Sequence, residues 1–402
     1  MAAQDQPTAA SARTGHLLIA AHSFPAGATT TIGAVAAFWR SDDGGATFPI
    51  LGVVPGLVRG FGGVFQGASD LSLGCSPSGE CYLASFVYDQ AISRSAIAVS
   101  RSSDGGTTWL PPVFLIDETD PAFFNLRPSI AAAGSSVYVS WIRVEGGGSS
   151  VPVWFAASHD GGATFTAPNR ISDPVADRLT NKPATVVDGN GRIYVVYKST
   201  LQDDPQGRNR HVVQISTDGG ATFGAARLVA FTFETFVLSP MVFRINSFPQ
   251  VAIEPGNALL VAWADSRSGN PDVVLTRSTD GGVTWTTPVR VTDTPLGKRI
   301  QYALPALACG PQGVCGVSFY TDRAQEHQLD TYFAPIVWGQ PGPNLRVSTV
   351  PMDPDAQFDG RFIGDYNALV IDANAAHPVW TDTRVELPAP QHDIFTARIT
   401  AQ

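Results

Sequence analysis

An acidic chain that sets arginines beside aspartates and a tyrosine has the makings of an anion-binding or acid–base site. Those residues fall in short stretches: Arg127 in NLRPS, Arg244 in FRINSFP, Asp265, Arg267 and Asp272 in WADSRSGNPD, and Arg361, Asp365 and Tyr366 in GRFIGDYNAL. A planar guanidinium fork matches a carboxylate, so the arginines predict an acidic ligand. Asp365 can orient the Tyr366 phenol, or bind a cation together with Asp353, Asp355 and Asp359; a solvated acidic loop is the favoured account of those three. His211, in GRNRHVVQ, is the histidine closest to basic neighbours. A His or Tyr base beside an arginine would suit β-elimination from a uronic acid. Acidic residues number 35 against 26 basic ones, a net charge of −9 over 402 residues, which argues against nucleic acid as a partner. No apolar run is long enough to span a bilayer.

These residues need a scaffold, and an internal repeat supplies it. The stretches SDDGGATF, SSDGGTTW, SHDGGATF, STDGGATF and STDGGVTW carry Asp43, Asp104, Asp160, Asp218 and Asp280 at spacings of 61, 56, 58 and 62 residues. Ahead of each runs a longer frame, a Pro leading one apolar run and a second run ending at an aromatic, as in Pro128 to Trp141, Pro183 to Tyr197 and Pro249 to Trp263. Seven such units begin near residues 6, 70, 126, 181, 247, 303 and 364. Glycine (39) and proline (30) are abundant and charged residues scarce, so turns are many and long helices few. Four antiparallel strands per unit, repeated radially, make one all-β domain over residues 1–402: a seven-bladed β-propeller, with six blades the less favoured count. The last unit ends at DIFTARITAQ without a fourth strand, and residues 1–6 are the candidates to pair there.

In the Asp-Gly-Gly turns the aspartate accepts backbone N–H groups and the glycines take positive φ, which is a mechanical task. One carboxylate per turn is too few for a calcium loop, and neither metal nor cofactor is expected. S-x-D-x-G-x-T-[FW] resembles the Asp box, or bacterial neuraminidase repeat, of the sialidase-like propellers, and the blade frame extends that resemblance over nearly the whole chain. The resemblance implies that the boxes are structural and lie away from the active site. It also implies a glycoside hydrolase whose binding arginine maps onto Arg267, whose general acid maps onto Asp272, and whose nucleophilic tyrosine maps onto Tyr366 in the Tyr-Asn-Ala-Leu context. The family's Arg-Ile-Pro is absent before Pro249, where Ser247 and Phe248 stand and Arg244 lies further back.

Two features pull in opposite directions. Arg267 recurs in register as Arg323 and Arg384, and Asp272 as Asp330 and Asp393, which favours a structural tie. Tyr366, by contrast, occupies a place that is proline in five other blades, and positions that break a repeat's own rule are where function tends to reside. Trp141, Tyr197, Trp263, Phe319 and Trp380, all in one register, are expected as blade core. Cys75 to Cys81 and Cys309 to Cys315 each flank a Gly/Pro turn, predicting two hairpin disulfides and a secreted or periplasmic monomer. The expected activity is an exo-acting glycoside hydrolase on an acidic or sialylated glycan. A non-enzymatic propeller binding a glycan or protein, and a polysaccharide lyase, are the alternatives.

Overall fold

In the computed structural model of the chain, residues 4–24, 33–90, 94–201, 204–356, 360–386 and 390–400 are described. They form seven antiparallel sheets in chain order, the blades of a seven-bladed β-propeller. First strands are Gln4–Ala10, Gly67–Cys75, Phe123–Ala133, Thr180–Val187, Gln250–Ile253, Tyr302–Cys309 and Ala368–Ile371. These starts lie within a few residues of those expected from the repeat. Blades 1 to 5 have four strands, blade 6 a fifth short one, and blade 7 three: Ala368–Ile371, Ala376–Glu386 and Pro390–Thr396. Residues 4–6, the described part of the stretch expected there, do not supply the missing strand. Gln4–Ala10 pairs into blade 1, because the frame led by Pro7 already makes that stretch a first strand; residues 1–3 lie outside the described residues.

The chain divides into two compact units. The first, Thr8–Thr200 with Val212–Arg227, contains blades 2 and 3 whole and most of blades 1 and 4. Its core is laid between successive blades: Leu18, Phe38, Leu83 and Trp109 form one cluster, Tyr82, Val99, Val139 and Trp141 a second, and Tyr138, Phe155, Val195 and Tyr197 a third. The second, Ala2–Pro7, Leu201–His211 and Leu228–Gln402, contains blades 5 to 7, with Leu260, Leu275, Val317 and Phe319 packed between two of them. The register aromatics are core, as their spacing predicts. Both disulfides form, Cys75–Cys81 in blade 2 and Cys309–Cys315 in blade 6. No helix among the described residues is long and apolar enough to cross a membrane.

Each Asp-Gly-Gly turn consumes its own carboxylate. In blade 2 the Ser102 hydroxyl donates to Asp104 Oδ1 (2.7 Å) and accepts the Gly106 N–H, while Thr108 donates its N–H to Oδ1 and its hydroxyl to Oδ2. The same hydrogen bonds recur at Asp43, Asp160, Asp218 and Asp280. The second glycine also lets a neighbouring side chain approach: a Cβ on Gly220 would lie 2.6 Å from Phe155 Cε1. These turns hold the hairpin between strands 3 and 4, on the same face as the cysteine-bridged turns between strands 1 and 2. Strand-1 starts and the loops between strands 2 and 3 take the opposite face.

At that opposite face the blades are not equivalent. Asp70, Arg127, Lys182 and Leu304 have positive φ (46°, 57°, 41° and 49°), each in a first strand whose pairing with strand 2 shifts register. Such bulges re-aim a strand end. Blades 5 and 7 have four-residue first strands with no register shift, and they are entered through irregular stretches, 234–249 ahead of blade 5 and, among the described residues, 347–356 and 360–367 ahead of blade 7.

Candidate active site

The two irregular segments are ordered by their apolar residues. Met241 and Phe243 from one, and Met352 and Ile363 from the other, pack with Leu304, Tyr320 and Trp380. Alternation then turns Val242 and Arg244 outward from the segment that buries Met241 and Phe243. A backbone hydrogen bond from Arg244 N–H to the Arg361 carbonyl (3.1 Å) ties the segments together.

That tie places Arg244 on Asp365. Its Nε and one Nη each donate to a different carboxylate oxygen at 2.6 Å, and Asn246 Nδ2 adds a third donor at 3.1 Å. Asp365 is almost fully enclosed, whereas the Arg244 side chain is 56% exposed and lies 4.6 Å from the centroid of the Phe362 ring. The fork is therefore held on one edge and on one flat face. Its remaining N–H groups make no hydrogen bond among the described residues and are available to a ligand. Tyr366 follows directly and is buried. Asn367 beyond it accepts the Tyr320 hydroxyl (3.1 Å), so both neighbours of the tyrosine are pinned. The exposed Arg361 makes no ion pair among the described residues. Arg244, Arg361, Asp365 and Tyr366 are thus gathered in the second unit, while Arg127 belongs to the first, where it donates to Asn181 Oδ1.

Arg267 and Asp272 have other partners. Arg267 grips Asp265, with its backbone N–H and Nε on Oδ1 (both 2.8 Å) and Nη on Oδ2 (2.9 Å); the Trp263 indole N–H also donates to Oδ2 (2.9 Å). Burial pushes this carboxyl up, and the Arg267 and Trp263 donors more than reverse it, so Asp265 titrates below the usual range. Blade 7 repeats the brace with Trp380, Asp382 and Arg384. In blade 6 the aromatic is Phe319, which has no N–H, and Arg323 reaches Asp293 instead (2.8 Å). Asp272 accepts Arg290 Nε (2.5 Å), the Thr292 hydroxyl and the Val273 N–H. Asp330 copies it with Arg346 and Ser348. The tie anticipated from the repetition exists, but it joins Arg267 to Asp265 and Asp272 to a strand-4 arginine.

Other residues weighed in the sequence fall as follows. His211 is fully buried, its Nε2 2.9 Å from the Ser247 carbonyl and its ring edge-on to Trp263. Asp359 lies outside the described residues, and Asp355 is pushed up by burial and by Asp353. Among the described residues no group of three or more His, Cys, Asp or Glu side chains is arranged to hold a metal ion. Asp322, in YTDR of a loop between strands 2 and 3, is a carboxyl to which the sequence assigns no catalytic role. It is buried, accepts the Gln301 N–H at Oδ1 (2.9 Å), leaves Oδ2 without a partner among the described residues, and is pushed up by that burial.

Known structures share this architecture. A Dyadobacter fermentans protein of unknown function aligns with TM-score 0.55 at 17% identity, covering 83% of this chain and 95% of that one. The Hadza microbial sialidase aligns with TM-score 0.53 at 15% identity over 92% of this chain and 74% of its own. The fold is the sialidase-like β-propeller. A Fusarium graminearum α-L-arabinofuranosidase shares it at TM-score 0.50 and 12% identity, with coverage of 98% and 93%. Among curated sequences, a Paenibacillus xyloglucanase is 25% identical over 209 residues, 48% of this propeller; the chain spans only 18% of that relative's length. No protein-family model matches the propeller.

Proposed function

We propose that this propeller is a carbohydrate-active protein of the glycoside hydrolase type, acting on the end of a glycan at the site formed by Arg244, Arg361, Asp365 and Tyr366. The observation that carries it is the Arg244 to Asp365 pair, which fixes an outward guanidinium on the carboxylate of the residue just before Tyr366, a tyrosine standing where five other blades have proline. Arg244 and Arg361 would hold an acidic sugar, and Tyr366 would attack the anomeric carbon as its phenol proton passes to Asp365 and the bond to the leaving oxygen breaks; the neutral phenol carries no charge to repel the substrate carboxylate. The leaving oxygen needs a proton. The family resemblance assigns that role to Asp272; the environment of Asp322, a buried carboxyl pushed up in pKa, suits it as well. Secretion fits the two disulfides.

Turnover of aryl α-sialoside, aryl α-L-arabinofuranoside and xyloglucan by the protein and by Tyr366→Phe, Arg244→Gln, Asp272→Asn and Asp322→Asn tests this reading. Hydrolysis of at least one substrate, abolished by Tyr366→Phe and by one of the two aspartate changes with folding intact, is the expected result. Turnover indifferent to Tyr366→Phe would remove the mechanism. A second reading has its own observation, since the Asp272 carboxylate is fully engaged by Arg290 and Thr292. A propeller that binds a glycan without cleaving it would give saturable binding to the same panel and no product.

A further inference from the structure

The other face of the first unit has a feature that this site does not use. Between the cysteine-bridged turn of blade 2 and the Asp-Gly-Gly turn of blade 3 lies a cavity of about 500 Å³, lined by Glu80, Tyr82, Arg101, Leu110, Ser135 and Gly161 among others. All of these residues belong to the first unit.

The lining is built to present unspent polar groups. The Cys75–Cys81 bridge closes the turn that carries Glu80, and the Ser76 (2.8 Å) and Ser78 hydroxyls both donate to Glu80 Oε2. Those donors keep Glu80 ionised, holding it below the usual carboxylate range, and its Oε1 accepts no hydrogen bond among the described residues. Arg101 donates one long hydrogen bond to the Gly161 carbonyl (3.3 Å) and makes no ion pair among the described residues. Tyr82 buries its ring between blades, yet its hydroxyl has no hydrogen-bond partner among the described residues. Burial and Glu80 push its pKa up, so it is a phenol that can donate. Glycines bare the far wall: a Cβ on Gly134 would meet nothing within 4 Å. Leu110 gives one apolar edge.

That chemistry selects against a simple ion. An anion suited to Arg101 meets Glu80, and a cation suited to Glu80 meets Arg101. Sugar hydroxyls satisfy both, because each donates to a carboxylate and accepts from a guanidinium, while the C–H face of a pyranose can lie on Leu110. The volume falls in the range of small-ligand sites and exceeds what one amino acid fills. We propose that this cavity is a second carbohydrate-binding site, taking a short neutral segment of an oligosaccharide between Glu80 and Arg101. It would bind a glycan independently of any reaction at Tyr366.

Calorimetric titration of the Arg244→Gln protein isolates this site from the proposed hydrolytic one. The probes are xyloglucan heptasaccharide, arabinotriose and cellotriose, with glycylglycine as a zwitterion able to bridge Glu80 and Arg101. The expected result is saturable binding of at least one neutral oligosaccharide. Glu80→Gln and Arg101→Leu should each weaken it at least about tenfold with Tm unchanged, as expected for hydrogen bonds to charged groups. In the unsubstituted background, turnover of a small aryl glycoside should be the same with and without Glu80→Gln. No binding of any neutral probe at millimolar concentration, binding indifferent to both substitutions, or binding of glycylglycine alone would overturn the proposal, whatever the outcome of the hydrolysis assays.

Discussion

Of three arginines at one repeat position, Arg267, Arg323 and Arg384, Arg323 should contribute far less than the other two. Replacing Arg267 with glutamine leaves Asp265, whose side chain is fully enclosed, without its cation. Breaking a buried pair from one side costs about 3–5 kcal/mol. Here the Trp263 indole and a backbone N–H stay on the carboxylate, and the Arg267 side chain is 30% exposed, so water can enter. The expected loss is about 2–3 kcal/mol, from discounting that range for the surviving donors and solvent. Arg384→Gln should cost as much, since Asp382 is equally enclosed. Arg323 pairs with the partly exposed Asp293, and Arg323→Gln should cost less than about 1 kcal/mol. Urea unfolding of the three variants reads these values directly. In an Asp265→Asn background the Arg267→Gln cost should shrink to below about 1 kcal/mol, because a neutral amide has no charge to leave stranded. Equal losses at all three positions, or an undiminished loss in the Asn background, would refute the brace. A drop in kcat/KM at a temperature where Arg267→Gln is fully folded would instead make Arg267 a substrate-binding residue.

Acid should unfold the protein cooperatively between about pH 4 and pH 2. Asp43 and Asp218 are lowered from 3.8 to about 2 chiefly by the Thr47 and Thr222 hydroxyls; at Asp104 the Thr108 N–H and hydroxyl outweigh burial to reach the same value. A depressed folded pKa stabilises above the unfolded value and loses that stabilisation as pH falls through the folded one. Circular dichroism with proton-uptake titration should therefore show several protons bound on unfolding. Removing the Cys309–Cys315 bridge by double alanine substitution should cost about 2 kcal/mol in denaturant, the loop-closure value for so short a ring. Gly316→Ala should cost about 1–3 kcal/mol by overpacking, since its Cβ would lie 2.2 Å from Phe333 Cε2. Phe333→Leu in the same chain should recover most of that loss in a thermal melt.

The fold was legible because its determinants are local. A serine, an aspartate, two glycines and a threonine within seven positions close one hairpin, and Cys75 and Cys81 face each other across another. The brace was half legible: the recurrence of Arg267 announced a tie, yet Asp265 and Asp272 stand opposite one another in register, and spacing alone does not choose between them. The choice falls to Arg290, from a strand 18 residues on, which takes Asp272 and leaves Asp265 to Arg267. Arg244 and Asp365 are separated by 121 residues, and no periodicity connects them. The signal in the sequence was an exception to the pattern, Tyr366 in place of the usual proline; that the first strands of blades 5 and 7 begin late emerges only from the structure.

Each unit carries one disulfide, and each bridge spans a hairpin tip with an exposed crown, Pro77 and Ser78 in blade 2 and Pro311 and Gln312 in blade 6. Tips of that kind are where proteases cut first. A cut inside either one would leave the severed strands fastened at the ends that pair, so the fragments would separate on a gel only after reduction. Wherever a protease reached those tips, the bridges would act as sutures placed before the wound.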